Sequence, residues 1–427
     1  MTIRQVHARR IWDSRGRPTI EVEVVNTDGT LGLGIAPAGA SRGTREAVEL
    51  RDGGARFGGR DVQQALRAVE REIAPALAGR DAADQAGIDA MLIALDGTPD
   101  KSRLGGNALI ATSLAVLHAA AARARQPLWQ YLAQGRPVQL PLPQVQIFGG
   151  GAHAGRRVDV QDFMVIATGA RSFAQAMEMT AEVYRAAGEL MAQRGPLAGV
   201  ADEGGWWPSF ARNEDALDAL VSAIEKAGYT PGEDVAIALD IAASEFGKGG
   251  RYRLALENQE LDSDGLGERL VRWVERYPIV SIEDPLAEDD EAGLAAFTRA
   301  VGHRVQVVGD DYLVTNAERV RRAAGLGACN CVLIKPNQAG TVTETLAALQ
   351  AAREHGYATI VSARSGETED VAIVHLATGW NAGQLKVGSF ARSERMAKWN
   401  EGIRIESRAD APAGFWGRRA LASHPIA

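Results

Sequence analysis

Six short apolar runs in the later part of the chain each carry, at or near their ends, a residue able to do chemistry. They are "VAIALD" with Asp240, "YPIVSIED" with Glu283, "VQVVGDD" with Asp310, "CVLIK" with Lys335, "ATIVSAR" with Arg364 and "QLKVG" with Lys386. Three carboxylates brought together repel, and each raises the proton affinity of the others, unless a cation sits among them. Hard oxygen donors that leave room for water suit Mg2+, so Asp240, Glu283 and Asp310 are candidate metal ligands. An ammonium desolvated beside a divalent ion gives up its proton more readily, which makes Lys335 a candidate base; the alternative is an ion pair with the same acids. Lys386 can stay protonated and hold an anionic substrate. In "VSARSGETED", Arg364 and Ser365 stand beside the bare methyl of Ala363, a polar cluster with one gap in it.

Residues so far apart in sequence need a scaffold that delivers strand ends to one place. The runs recur about every 25 to 45 residues with amphipathic stretches between them, which predicts a β/α barrel with its active site at the C-terminal strand ends. A doubly wound open sheet is the rival, but no glycine-rich phosphate turn follows an early strand. The N-terminal part has a different texture. "TIEVEVVNTDGTLGLGIAP" alternates around an Asp28-Gly29 turn, as an antiparallel hairpin or meander would. Helical segments follow, including the apolar "NALIATSLAVLHAAAARARQ". The proline-punctuated "GRPVQLPLPQ" then marks a boundary. The expected organisation is an α+β capping domain over residues 1–135 and a β/α barrel over 136–427.

The bulk numbers exclude several classes. With 427 residues, 46% apolar content, 24% charged content and a net charge of −7, the chain reads as a globular protein with no nucleic-acid surface. No run approaches the ~18 apolar residues of a bilayer span, and the N-terminus has no apolar signal core, so the expected location is cytoplasmic and away from membranes. Cys329 and Cys331 form a C-x-C with no third cysteine to complete a cage, which points to buried reduced thiols.

Longer motifs carry a resemblance. "SIEDPLAEDD", "VGDDYLVTN", "CNCVLIKPNQAGTVTET", "RSGETED", "ADEGG" and "ARSERMAKWNEGIRIE" resemble the enolase family, as do "DSRGRPTIEVEV" and "GASRGTREAVELRDGG" near the N-terminus. The likeness runs nearly end to end and in order. It implies an enolase-type barrel and a hydro-lyase that removes the proton alpha to a carboxylate and then loses a C3 hydroxyl. It also implies two Mg2+ ions, a small anionic glycerate as substrate, and a homo-oligomer, either a dimer or an octamer. By resemblance, Asp240, Glu283 and Asp310 hold the first metal, Ser41 helps hold the second, and Lys335 is the base. Glu203 matches the acid that protonates the departing hydroxide, with its pKa raised by nearby carboxylates. His153 matches a loop histidine that closes over the site. Arg364 and Ser365 match the phosphoryl-binding pair, Lys386 stabilises charge on the substrate carboxylate, and Gln161 is a further substrate contact.

Departures from the family pattern fall in the same pocket. Ala363 stands where the family motif has histidine, Asp162 replaces a glutamate that partners the acid, and Gly149 replaces an asparagine. Arg42, Arg156 and Arg157 are additional arginines on loops expected near the substrate. A widened, more basic pocket suits a phosphorus group bearing an extra carboxylate. The favoured expectation is therefore a carboxyphosphonoenolpyruvate synthase of phosphonate or phosphinate antibiotic pathways, with space made by Ala363 and Gly149 and charge supplied by Arg156 and Arg157. The alternatives are an ordinary enolase acting on 2-phosphoglycerate and a non-catalytic enolase-like binding protein.

Overall fold

The computed structural model describes residues 2–408 and 413–422. The alternation near the N-terminus forms an antiparallel meander of β1 (Ile3–Trp12), β2 (Pro18–Asn26) and β3 (Leu31–Ile35). Ile20, Val22 and Val24 point to one face and are fully buried, as the two-residue period of a strand requires. Their cover is the apolar helix α1 (Gly106–Arg123), most of whose residues are buried. The "LGLGI" of β3 explains how closely they approach. A Cβ on Gly32 or Gly34 would lie 2.2 Å from the Ala115 carbonyl oxygen or 2.1 Å from that of Ala111, so only glycine lets α1 rest on this strand.

Eight strands then close into a barrel. They are β4 (Leu142–Gly149), β5 (Asp162–Ile166), β6 (Ala236–Asp240), β7 (Ile279–Glu283), β8 (Gln306–Gly309), β9 (Cys331–Ile334), β10 (Ala358–Ser362) and β11 (Gly383–Ser389). The last six hold the six runs. From β6 onward the neighbours pair in parallel, and β11 pairs in parallel with β4. β5 differs, being antiparallel to both β4 and β6. The link from β4 to β5 holds only a short turn at Gly151–Ala154 and no crossover helix, which is what a parallel pair would need. The first residue of β5, Asp162, therefore lies level with Gly149 and Asp240 at the rim where the other strands end.

Helix starts on the outer layer follow ordinary capping chemistry. The Asp262, Asp290, Asn316 and Thr341 side chains each accept a backbone N–H of the first turn they precede. Inside the barrel, the amides of Gln144, Gln306 and Gln384 bond to one another, a buried polar layer below the rim that periodicity did not suggest. Cys329 and Cys331 are free and buried, and burial pushes the Cys329 thiol up to about 12. Among the described residues no helix is long and apolar enough to cross a membrane.

One buried carboxylate joins the N-terminal unit to the barrel layer. Asp89, in the helix Gln85–Asp96, is fully buried. It accepts from the Ser113 hydroxyl of α1 (2.6 Å) and from the Thr343 N–H (2.9 Å) and hydroxyl (2.6 Å) of the helix Val342–Glu354. Replacement Asp89→Ala orphans these donors at about 1–3 kcal/mol for each one left unsatisfied. Urea unfolding should show a lower midpoint for the variant, and an unchanged midpoint would refute this account.

Candidate active site

Adjacent strands β6 and β7 end level, which sets Asp240 beside Glu283. Lys386, from β11, reaches both: its Nζ lies 2.9 Å from Asp240 Oδ2, 2.8 Å from Glu283 Oε2 and 3.5 Å from Asp162 Oδ2. Asp310 follows β8 and bonds through Oδ2 to Lys335 Nζ, while its Oδ1 accepts from Gln338 Nε2 at 2.8 Å. All these side chains are buried. Burial, and then the charge of Asp240, push the Glu283 carboxyl well above its usual range. Burial alone would lower Lys386, but Asp240, Glu283 and Asp162 overrule it and hold the ammonium well above its ordinary value. Lys335 is raised in the same way, by Asp310 against the effect of burial.

Among the described residues, the side-chain groups whose ligand atoms lie within 4.8 Å of one another are Asp284, Asp310, Asp311 and His153, Asp162, Glu203, and the expected acid trio is not one of them. Lys386 holds Asp240 and Glu283 while Lys335 holds Asp310, so the two ammonium groups divide the three acids between them. The residues nonetheless fit a divalent ion. The donors are all oxygens, and Glu283 Oε1 and Gln161 Oε1 are buried with no hydrogen-bond partner. Buried oxygens left in that condition are costly unless something else satisfies them.

A second wall centres on Arg364, which follows β10. Its guanidinium donates to Glu46 (2.9 and 3.2 Å), to Asn337 Oδ1 (3.1 Å) and to the Ser41 carbonyl (3.0 Å). A Cβ on Gly39 would come within 1.9 Å of Arg364 Nη2, so glycine is what lets the Gly39–Ser41 loop lie on the arginine. The third wall is a chain of polar groups. His153 Nδ1 lies 2.9 Å from Asp162 Oδ1, and its Nε2 lies 3.0 Å from Ser365 Oγ and 3.6 Å from Glu203 Oε1. Burial would depress this imidazole, but Asp162 and then Glu203 raise it to about 9. Asp162 in turn is held below its usual range, chiefly by the His153 charge overcoming burial. Between the walls lies a cavity of about 20 Å³ onto which Ser41, Gln161, Asp240, Lys335 and Ala363 open.

Two family descriptions match this chain: "Enolase, N-terminal domain" over residues 3–132 and "Enolase, C-terminal TIM barrel domain" over 137–424. "Enolase 1" of Desulfitobacterium hafniense (strain Y51) is 49% identical over 427 residues, 99% of this chain and 98% of that one. "Enolase" of Acidothermus cellulolyticus is 49% identical over 419 residues, 98% of this chain and 97% of that one. The chain belongs to the enolase family. It is an enzyme of the lyase class, in a family that generally uses Mg2+.

Against that family background, several pocket expectations need correction. Arg156 is exposed and donates to Glu245 Oε2 at 2.8 Å, outside the cavity. Arg157 is exposed too and does not line the cavity. The cause is local: Gly155 and Arg156 both have left-handed backbone (φ 59° and 58°), and that turn carries the arginines outward. Arg42 pairs with Glu49 near the surface. Gly149 adds no room, because a Cβ there would meet the Ala201 methyl at 2.5 Å. Glu203 and Asp162 are near each other, but the imidazole of His153 bonds Asp162 and lies beside Glu203.

Sequence reasoning missed Glu46, Gln338, Gln146, Asp284 and Asp311. The acid doublets held a signal for two of them. Asp284 accepts the N–H groups of Asp310 and Asp311, at 2.9 Å each, and so supports the backbone that presents Asp310. Glu46 lay inside the quoted "GASRGTREAVELRDGG" but had no pattern that assigned it to Arg364.

The His153 charge has a testable consequence. Its folded pKa stands above the ordinary 6.5, so its contribution to stability is complete below about pH 6.5 and is lost as pH rises through about 9. NMR of the metal-free protein should show this ring titrating near 9, and Asp162→Asn should move the midpoint down, since burial then dominates. A wild-type midpoint at or below 6.5 would contradict the pairing.

Proposed function

We propose that this enzyme removes water from 2-phosphoglycerate to give phosphoenolpyruvate, with Mg2+ as cofactor. The observation that carries the reading is the convergence of Asp240, Glu283, Asp310, Lys335 and Lys386 on one buried rim, opposite a polar wall holding Glu203. Asp240, Glu283 and Asp310 would hold the first ion, and Ser41 would help hold the second. Bound there, magnesium would supply positive charge against the substrate carboxylate and would compete with Lys335 for the charge of Asp310, easing loss of the lysine proton.

The remaining work falls to the chain's own side chains. Lys335 takes the C2 proton, and Lys386 keeps its proton and steadies the charge that builds on the carboxylate. Glu203, in its protonated form, delivers a proton to the leaving C3 hydroxyl. Arg364 offers a planar fork suited to phosphoryl oxygens, and Ser365 adds a hydroxyl beside it. Arg364 spends its donors on Glu46 in this structure, so a phosphoryl group must compete with that carboxylate. Gln161, whose Nε2 donates to Asp240 Oδ2 at 3.1 Å, contacts the substrate through its unpartnered oxygen side. A homo-oligomer, dimer or octamer, is part of this reading; sedimentation as a monomer at working concentration would remove that part.

A second reading rests on Ala363 alone. Its methyl lines the cavity beside Arg364, where the family motif has histidine, and the space could admit a carboxyphosphonyl group in place of phosphate. Neither Gly149 nor Arg156 and Arg157 now supports it, and two relatives at 49% identity are named enolase.

Chelation should abolish formation of the enol absorbance and Mg2+ should restore it; Lys335→Ala should abolish it without unfolding the protein. Turnover that survives complete chelation would sink the metal assignment. In direct competition, wild type should prefer 2-phosphoglycerate to its carboxyphosphonyl analogue by more than about a hundredfold, ~2.7 kcal/mol of transition-state discrimination. The reverse preference, switched by Ala363→His, would establish the second reading instead.

A further inference from the structure

Gln146 lies on β4 between two parts of the site without lining the cavity itself. It is 1% exposed, and both ends of its amide are engaged. Nε2 donates to Asp162 Oδ1, and Oε1 accepts the Gly205 N–H at 2.8 Å. The orientation follows from chemistry: a backbone N–H can only donate, so the amide oxygen must face Gly205, and the NH2 is left for the carboxylate.

Each end belongs to a different piece of machinery. Asp162 holds His153, which reaches Ser365. Gly205 closes a tight turn, with Ala201 N–H donating to the Gly205 carbonyl (2.8 Å) and Gly204 N–H to the Ala201 carbonyl (2.9 Å), and Glu203 sits within that turn. The fit is close. A Cβ on Gly205 would strike Gln146 Oε1 at 2.4 Å. Lys335 and Asp310, by contrast, make none of these bonds and stand at the ends of β9 and β8.

We propose that Gln146 is a positioning residue that locks the Asp162–His153 pair to the turn carrying Glu203, and so serves loss of the C3 hydroxyl rather than removal of the C2 proton. The inference rests on the 2-phosphoglycerate reading above. Only a side chain that donates at one end and accepts at the other, at this length, can make both bonds. Glutamate keeps the acceptor for Gly205 but sets a carboxylate against Asp162. Leucine makes neither bond.

The two steps can be read separately with Mg2+-loaded full-length enzyme in D2O. Removal and return of the C2 hydrogen exchanges it for deuterium, whereas loss of hydroxide produces the enol absorbance. In Gln146→Glu and Gln146→Leu, dehydration should fall roughly 10- to 100-fold, the usual penalty of a slightly misplaced catalytic group. C2 exchange and KM should stay within roughly threefold of wild type, since Lys335, Lys386 and Arg364 make no bond to Gln146. A parallel fall of exchange and dehydration overturns the proposal, as does wild-type dehydration in both variants. If the leucine variant fails to fold, the near-isosteric glutamate variant decides. Absence of product from wild type itself would instead defeat the 2-phosphoglycerate reading, and this inference with it.

Discussion

Two buried ammonium groups set among buried carboxylates hold the mouth of this barrel in its present form. Lys386 binds Asp240 and Glu283, and Lys335 binds Asp310. Asp240 and Glu283 end their strands, Asp310 and Lys335 follow theirs and Lys386 lies within β11 of the same closed sheet, so none can retreat from its neighbours without breaking the ladder. Desolvated charges tolerate such a position only when paired, and removing one partner leaves the other uncompensated. The crowding that makes the rim expensive to fold is also what a divalent ion and an anionic substrate can use, because the oxygen donors are already gathered.

The rest of the site reaches the rim through segments far away in sequence. Glu46 and the Gly39–Ser41 loop come from the N-terminal unit and close on Arg364, so the phosphoryl wall is built jointly by cap and barrel. Asp162 arrives from the opposite direction to the other acids, on the one strand that runs against its neighbours. Its carboxylate keeps His153 charged, and Gln146 ties it to the Glu203 turn. The site thus has a metal-and-lysine side and a proton-delivery side, with a small cavity between them.

Much of this was readable in the chain. Strands β6 to β11 announce themselves as apolar runs ending in a charged residue, because in a barrel the interior of the strand must be apolar while only its end meets the site. β4 and β5 escaped that reading. β4 ends in glycine instead of a charge, and β5 puts its acid at its beginning, so neither matches the pattern. The added arginines are hidden from that reading for a related reason: they neighbour His153 in sequence but not in space, because a single left-handed turn at Gly155 and Arg156 separates them.

What the sequence determined by itself was the kind of chemistry and the scaffold: the oxygen-only ligand set, the two lysines, the barrel period and the family motifs. These depend on residue type and short-range spacing, which a chain displays without folding. Tertiary structure alone decided that Gly149 is already filled by Ala201, that Arg364 is claimed by Glu46, and that Gln146 spans Asp162 and Gly205. Each of those depends on the direction of a side chain toward a partner between 16 and 318 positions away, and only packing supplies that direction.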